Sequence, residues 1–262
     1  MNNEDDWAFV TVTYNSASDL RRFWGEGSPV DVDWVVVDNA SSDGSADLAE
    51  ALGARVIRLD RNVGFGAANN IGISSSRASL VACVNPDVKV DFTTTTELAR
   101  TIRATGAFVA PQLTFPDGGL QPNGRGAPSL LNKVRNRLNR VDRYNLLAQP
   151  GEIVSVCWAM GAAICASRET WASVGGWDEA FFVYYEDAEL GLKGWEQGIA
   201  TWIDGSVRWE HGWARETTTF RVGPWRREVR SAFTFYSRRP ALLIGEAPFG
   251  YGETKRTERL HD

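Results

Sequence analysis

The sequence has few of the residues from which disulfide frameworks and zinc sites are built. It contains three cysteines and two histidines in 262 residues. The cysteines, Cys83, Cys157 and Cys165, form no Cys-x-x-Cys pair, and two of them lie in apolar runs typical of buried strands. This pattern argues against a disulfide scaffold and predicts reduced, buried thiols in a cytoplasmic protein.

Long apolar runs are also missing. No stretch approaches the roughly 20 apolar residues that a membrane-spanning helix needs. The acidic segment Met1–Trp7 lacks the apolar core of a secretory signal. We therefore expect a protein that is soluble or attached at most to a membrane surface. The formal net charge of -5 provides no overall attraction to nucleic acid, so no nucleic-acid partner is expected.

Strand-like and helical segments alternate through the first half of the sequence. The predicted strands are Ala8–Tyr14, Trp34–Val37, Arg55–Leu59, Leu80–Val84 and Phe108–Ala110. The helices predicted between them are Asp19–Trp24, Ser45–Leu52, Gly66–Ser75 and Thr94–Arg103. This alternation predicts an α/β fold with a mostly parallel sheet covered on both faces, in which ligands bind beyond the carboxyl ends of the strands.

The pattern changes in the second half. A turn-rich stretch leads to a basic amphipathic helix, Leu130–Arg143, whose basic side chains fit either an anionic ligand or a solvated helix face. Further strands are predicted at Ser155–Ala159 and Ala162–Ala166, and further helices at Glu169–Val174 and Glu186–Gln197. No repeat or linker separates these parts, so we predict one domain spanning residues 1–262.

Polar residues follow the ends of four predicted strands: Asn15, Asp38-Asn39, Asp60-Arg61-Asn62 and Asn85-Pro86-Asp87. Helix capping explains the nearby Asp43 and Ser45, but Asp38 needs a partner, and a base N–H or a ribose hydroxyl would serve. Asp87 is suited to Mg²⁺ or Mn²⁺, which prefer oxygen ligands. On Asn85-Pro86-Asp87 alone, a proline-containing turn in which Asp87 accepts from backbone N–H groups is the favoured explanation.

Two further segments carry candidate chemistry. The segment Asn62–Asn70 contains Gly64 but neither a GxGxxG nor a GxxxxGK[ST] pattern, which disfavours the alternative of an NAD-dependent enzyme. Glu186 and Asp187 open a predicted helix, where capping accounts for one of the two acids. We expect aromatic side chains to wall a sugar-sized pocket beside them, and these are Trp158, Trp177, Tyr184 and Tyr185. His211 is either structural or a metal ligand.

In their order and spacing these motifs resemble the family-2 glycosyltransferases, which have the GT-A fold, and within them the rhamnosyltransferase-like branch. The resemblance covers about Ala8–Gly212 and rests on Val10–Asn15, Val37–Ser45, Asn62–Gly66 with Asn69-Asn70, Asn85–Asp87, Gly175–Glu179 and Tyr185–Asp187. It implies a nucleotide-sugar-binding half at residues 8–111, a basic loop and helix at 112–150, a catalytic and acceptor half at 151–239, and a tail at 240–262.

The resemblance also implies an activity. The chain would move a sugar from dTDP-rhamnose or a UDP-sugar to an acceptor hydroxyl with inversion, since one base and one metal suffice when a diphosphate leaves. Asp187, paired with Glu186, would be the base, and Asp87 with His211 would hold Mn²⁺ or Mg²⁺. Asn85 replaces the first acid of the family's Asp-x-Asp motif. The implied nucleotide-binding residues are Thr13, Tyr14, Asn15, Asp38, Asn62, Gly64, Asn70 and Asn85.

The acceptor is less determined. A glycan, a lipid-linked sugar, a small molecule and a protein are all compatible with the sequence, and peripheral membrane contact and a homodimer stay open. Asn85 motivates one alternative from another class, a non-catalytic relative that binds nucleotide sugars without transferring them.

Overall fold

The computed structural model describes residues 6–130, 144–212, 222–244, 251 and 255–258. Most of the predicted basic helix Leu130–Arg143 therefore lies outside the described residues. The helices are α1 (Ala17–Phe23), α2 (Ser45–Ala51), α3 (Phe65–Ser75), α4 (Thr95–Thr105), α5 (Arg168–Val174), α6 (Glu186–Glu196), α7 (Val222–Arg238) and α8 (Ala241–Ile244). In the described residues α7 is the longest helix at 17 residues, and no helix reaches the length and hydropathy that a bilayer crossing requires.

The strands form two sheets. They are β1 (Trp7–Thr13), β2 (Asp33–Asp38), β3 (Arg55–Arg58), β4 (Leu80–Val84), β5 (Val88–Lys89), β6 (Phe108–Thr114), β7 (Gly124–Arg125), β8 (Asn145–Leu146), β9 (Glu152–Val156), β10 (Trp158–Ala159), β11 (Ala163–Ser167), β12 (Thr201–His211) and β13 (Arg256–Glu258). The large sheet has the order β13-β9-β12-β6-β11-β4-β1-β2-β3, with β5 paired to the end of β12. The small sheet has the order β10-β7-β8.

The predicted α/β fold with a mostly parallel sheet is confirmed. Strands β3, β2, β1 and β4 pair in parallel, with Thr13 opposite Asp38 in the register of β1 and β2. Among the described strands of this sheet, only β5, β9 and β11 run against the common direction. The strand ends that carry Thr13, Asp38 and Val84 therefore lie at one edge of the sheet.

Alternating side chains of the strands cover both faces of the sheet. Phe9 on one face packs with the stacked rings of Trp24 and Trp34, whose centroids are 4.5 Å apart. Val10 on the other face packs under α3, where a Cβ on Gly72 would collide with it. Each fully buried apolar side chain of this size contributes about 1.5–3 kcal/mol. Burial on both faces fixes the register and hence the placement of the strand ends.

The second half departs from the prediction in two places. The predicted strand Ser155–Ala159 is two strands, because the chain leaves the large sheet after Val156 and β10 then pairs with β7 in the small one. The long strand β12 has no counterpart among the predicted strands. It carries polar residues and a register shift between Asp204 and Arg208, which interrupt the apolar pattern typical of a buried strand.

Candidate active site

Asp38 ends β2 beside Thr13 at the carboxyl edge of the sheet. Its Oδ1 accepts a hydrogen bond from Thr13 Oγ1 at 3.0 Å, and its Oδ2 accepts one from the backbone N–H of Ser41 at 3.0 Å. The side chain is buried with 4% of its surface exposed. Each carboxylate oxygen has two lone-pair directions, so Asp38 is oriented by the protein and still able to accept from a ligand.

The loop after Asp38 is fastened to the end of β1. Asn15 Oδ1 accepts from the backbone N–H of Ser42 at 2.9 Å, and the Asn15 N–H donates to Ser41 Oγ at 2.9 Å. Asn15 and Ala40 both have left-handed backbone, a conformation that residues other than glycine adopt mainly where surrounding contacts hold them. Tyr14, next to this loop, is half exposed.

An open cleft of about 450 Å³ lies beyond the ends of β2 and β3. Its lining is mostly polar and includes Asp38, Ser41, Ser45, Asp47, Arg58 and Leu59. Such a position, outside the carboxyl ends of parallel strands, is where α/β sheets hold nucleotides.

Asp87 and His211 are brought together by the pairing of β5 with the end of β12. In that pairing His211 lies opposite Val88, and the Gly212 N–H donates to the Asp87 carbonyl at 2.8 Å. The distance from His211 Nε2 to Asp87 Oδ2 is 3.4 Å, and both side chains are largely buried. Ligand atoms lie about 2.1 Å from Mg²⁺, so neighbouring ligands in an octahedral site are about 3 Å apart. The pair therefore fits two ligands of one divalent cation.

Asp187 lies in the first turn of α6, after two consecutive residues with left-handed backbone, Tyr184 (φ 70°) and Tyr185 (φ 71°). Its Oδ2 accepts from the backbone N–H of Gly161 at 3.2 Å. The neighbouring Ala162 carbonyl accepts from the N–H of Asn85 at 2.8 Å. One turn of the chain thus contacts both Asp187 and the segment that carries Asp87. The spacing of motifs along the sequence gave no sign of Gly161 in this role.

The two adjacent acids have different environments. Glu186 is buried, and its Oε2 has no hydrogen-bond partner among the described residues, whereas Asp187 is half-buried. Burial, followed by the charge of Asp187, raises the pKa of Glu186 well above its usual value. Glu186 is therefore the member of the pair whose protonated form is favoured, and Asp187 is the more accessible carboxylate.

Several residues predicted to bind nucleotide are occupied within the protein. Asn70 donates to the Trp177 carbonyl at 2.9 Å and to Glu179 at 3.0 Å, while its oxygen accepts from the Trp177 N–H at 2.9 Å. Asn62 Oδ1 accepts from the Gly64 N–H at 2.9 Å. These side chains bind the polypeptide itself, and a role of Asn62 and Asn70 in nucleotide binding stays a prediction.

The segment around Gly64 connects the loop that carries Asp38 to the residues that precede α6 and Asp187. The Gly64 carbonyl accepts from Asn39 Nδ2 at 3.2 Å, and the next residue, Phe65, donates its N–H to the Phe182 carbonyl at 2.8 Å. Asn39 Oδ1 in turn accepts from the Val63 N–H at 2.8 Å. Asn39 is named above among the polar residues that follow strand ends, but the sequence gave no sign that it connects Asp38 to the loop around Gly64.

The four aromatic residues expected to line a sugar pocket divide into two groups. Trp177 is 1% exposed and packs edge-on against Phe65, so it is a core residue and that prediction is wrong. Trp158 is 9% exposed and lies under the guanidinium of Arg125, which leaves little of its ring to a ligand. Tyr184 and Tyr185 are half-buried at the start of α6, where contact with a ligand remains open to them.

Known proteins share this sequence pattern. Residues 8–165 match the family model described as Glycosyl transferase family 2, which stops short of Asp187 and His211. The chain is 30% identical over 225 residues to an N-acetylglucosaminyl-diphospho-decaprenol L-rhamnosyltransferase of Mycobacterium tuberculosis, covering 74% of this chain and 71% of that protein. It is 26% identical over 211 residues to the low-salt glycan biosynthesis hexosyltransferase Agl10 of Haloferax volcanii, covering 74% and 63%.

Solved structures share the fold at lower identity. GalNAc-T7 with UDP, GalNAc and Mn²⁺ superposes with a TM-score of 0.65 at 17% identity, covering 94% of this chain and 52% of that one. The mannosyltransferase PcManGT from Pyrobaculum calidifontis, in complex with GDP-Man and Mn²⁺, gives 0.58 at 17% identity, covering 92% and 65%. The chain thus spans about half the length of the first of these. The predicted GT-A fold is confirmed.

Proposed function

The chain belongs to glycosyl transferase family 2, and we propose that it is an inverting enzyme that moves a sugar from a pyrimidine nucleoside diphosphate to an acceptor hydroxyl. The observation that carries this proposal is the contact of Asp87 with His211, together with the attachment of Asp187 to a turn that also contacts the segment carrying Asp87. The first two are 3.4 Å apart, and the third hydrogen-bonds to the turn that also holds Asn85. A cation-binding pair beside a separate carboxylate is the minimum that displacement of a diphosphate requires.

At the nucleotide end, Asp38 accepts the N–H of the base. Uracil and thymine present the same edge to a carboxylate, so both UDP- and dTDP-sugars fit, and the rhamnosyltransferase relative favours a dTDP-sugar such as dTDP-rhamnose. Asn85 Oδ1 is buried and has no partner among the described residues. It is suited to accept from a ribose hydroxyl, because an unpaired buried acceptor gains most from a ligand that supplies a donor.

Asp87 and His211 hold a divalent cation, Mn²⁺ or Mg²⁺, in this proposal. Within the described residues no group of three or more His, Cys, Asp or Glu side chains could hold the ion by itself, so phosphate oxygens of the donor and water would have to supply the other ligands. When bound, the cation neutralises the charge that develops on the departing diphosphate.

Asp187 accepts the proton of the acceptor hydroxyl. The acceptor oxygen forms a bond to the anomeric carbon as the bond from that carbon to the diphosphate oxygen breaks, and the configuration inverts. A diphosphate leaves without protonation, so the two-carboxylate arrangement of glycosidases is not needed. Glu186, which is buried and has a raised pKa, has no part in this proposed proton transfer.

For the acceptor we propose a sugar linked to a lipid diphosphate. The Mycobacterium tuberculosis relative is described as acting on such a molecule. The Haloferax volcanii relative is described as a hexosyltransferase of glycan biosynthesis, which leaves a glycan acceptor as the second candidate.

Calorimetric titration of UDP, dTDP and GDP, each with Mn²⁺, Mg²⁺ or EDTA, tests the donor site. We expect a pyrimidine diphosphate to bind at least about ten-fold more tightly with metal than with EDTA, since the cation bridges protein and phosphate. Asp87→Ala should abolish that difference, whereas Asp117→Ala, in an exposed turn, should preserve it. Tighter binding of GDP than of UDP and dTDP, or no nucleotide binding at all, would contradict the proposal.

A further inference from the structure

We propose that Gln121 is a positioning residue that holds His211 in the tautomer able to bind a divalent cation. The proposal rests on the metal site proposed above. Gln121 is fully buried, and its Oε1 lies 2.6 Å from His211 Nδ1. The other ring nitrogen, Nε2, lies 3.4 Å from Asp87 Oδ2. The imidazole is thus placed between an amide on one side and the carboxylate on the other.

This arrangement selects one protonation pattern of the neutral ring. A neutral imidazole carries its single proton on one nitrogen, and an amide oxygen can only accept. With the proton on Nδ1, the Gln121 oxygen accepts a hydrogen bond, and the Nε2 lone pair and Asp87 are two acceptors that a divalent cation would satisfy together. With the proton on Nε2, two acceptors would lie 2.6 Å apart without a hydrogen between them. Histidines that bind metals commonly donate their second N–H to a carbonyl or carboxylate in this way.

The backbone of Gln121 is fixed from two sides. Its N–H donates to the Leu113 carbonyl at 2.8 Å, and its carbonyl accepts from Gln112 Nε2 at 2.7 Å. The Gln112 oxygen in turn accepts from the Ala148 N–H at 2.7 Å. Gln121 is therefore attached to the end of β6, which runs beside β12, and it reaches His211 from the segment that follows β6.

Packing alone does not explain an amide at this position. A leucine would fill a fully buried site without the cost of desolvating a polar group. Gln121 Nε2 has no partner among the described residues, so the oxygen is the atom that makes the useful contact. Gln121 thus leaves one buried N–H₂ group without a partner, while its oxygen lies 2.6 Å from Nδ1 of the metal-ligand candidate His211.

The tautomer of His211 can be measured directly. The sequence contains two histidines, so in a His261→Asn variant the long-range ¹H–¹⁵N spectrum of the imidazole reports His211 alone. We expect the proton on Nδ1 in the otherwise unchanged protein. In Gln121→Leu, and in Gln121→Met as a second variant of similar length, the Nε2-protonated form should appear. Titration with Mn²⁺ alone should show affinity reduced about 10–100-fold.

Matched variants separate positioning from structural support. Gln121→Glu keeps an acceptor facing Nδ1 and should retain both the tautomer and the Mn²⁺ affinity. Gln112→Leu should lower the unfolding temperature without moving the His211 proton, and Gln149→Leu, at an exposed position, should change neither. A proton on Nε2 in the unsubstituted site, or unchanged tautomer and Mn²⁺ affinity in Gln121→Leu and Gln121→Met, would overturn the proposal. The spectrum needs no nucleotide, so this result is independent of whether the donor-binding test succeeds.

Discussion

The backbone N–H of Gly161 donates a hydrogen bond to Asp187 Oδ2 at 3.2 Å. A second hydrogen bond runs from the Ala188 N–H to the other carboxylate oxygen, Oδ1, at 2.8 Å. Both oxygens of Asp187 therefore accept from backbone N–H groups. A Cβ at Gly161 would lie only 3.5 Å from Asp187 Cβ. Asp187 is consequently held in one orientation, as its proposed role as the base requires.

Asp187→Asn should lower kcat by about 10²–10⁴-fold, because the amide preserves the shape of the side chain and cannot take a proton. Nucleotide affinity measured by calorimetry should stay within about two-fold, since Asp187 does not contact the nucleotide in the proposed site. Release of nucleoside diphosphate reports turnover. Asp117→Asn, in an exposed turn, is the control, and near-normal turnover in Asp187→Asn would assign the base to another residue.

Glu186 should make the stability of the protein depend on pH. Because its pKa is raised in the folded state, the unfolded chain releases this proton at lower pH than the native protein does. The free energy of unfolding should therefore fall as pH rises above about 4.3, the ordinary pKa of a glutamate. The slope for one proton cannot exceed about 1.4 kcal/mol per pH unit.

Glu186→Gln removes that contribution. Urea unfolding at pH 4 and pH 8 should show the variant gaining stability relative to the parent as pH rises. Glu26→Gln, whose parent side chain is 93% exposed, should show no such gain. Parallel pH profiles for the parent and Glu186→Gln would mean that Glu186 ionises normally in the folded protein.

Gly64→Ala should destabilise the protein more than Gly118→Ala does. Both glycines have left-handed backbone, which costs another residue about 1–3 kcal/mol. A Cβ at Gly64 would also lie 2.7 Å from the Phe182 carbonyl, whereas one at Gly118 meets nothing within 4 Å. Displacing Phe182 should disturb the approach to Asp187, so turnover should fall in the first variant only. Equal unfolding free energies for the two variants would show that the backbone at Phe182 can move away from a Cβ at position 64 without cost.

Arg239→Ala should cost about 3–5 kcal/mol of stability, because it leaves the buried carboxylate of Glu189 without its partner. Arg239 donates to both oxygens of Glu189, at 2.6 and 2.9 Å, and also to Glu196. These bonds attach the end of α7 to α6, the helix that carries Asp187. Arg100→Ala is the control, since its exposed pair with Glu97 is worth less than about 1 kcal/mol. Chemical denaturation of both variants measures the difference, and similar losses would rule out a supporting role for the buried pair.

The sequence was sufficient to place the strand ends, but it does not show which polar side chains form hydrogen bonds within the protein and which are left for a ligand. Asp38 and Asp87 follow apolar strands, and burial on both faces of the sheet forces their positions at its carboxyl edge. Asn70 belongs to a motif of the same appearance, yet all of its described hydrogen bonds go to Trp177 and Glu179. Only the three-dimensional structure distinguishes a side chain that can bind a ligand from one that hydrogen-bonds to a turn of the protein.

The contact between Gln121 and His211 could not be predicted from the sequence. Gln121 lies 90 residues from His211 along the chain, in a turn-rich stretch without periodicity, so no local pattern connects the two. Their contact follows from β6 and β12 being parallel neighbours, and β12 itself was hidden by its polar residues and register shift.

The pairing of β5 with β12 determines when the parts of the site can come together during synthesis of the chain. Asp38, its Thr13 partner and the four parallel strands around them are all synthesised within the first third of the chain. Asp87 is also made early, but its partner His211 arrives more than a hundred residues later. With the roles proposed above, a nascent chain can therefore form its nucleotide-binding end well before it can bind a cation, and the complete site forms only when β12 pairs with the sheet.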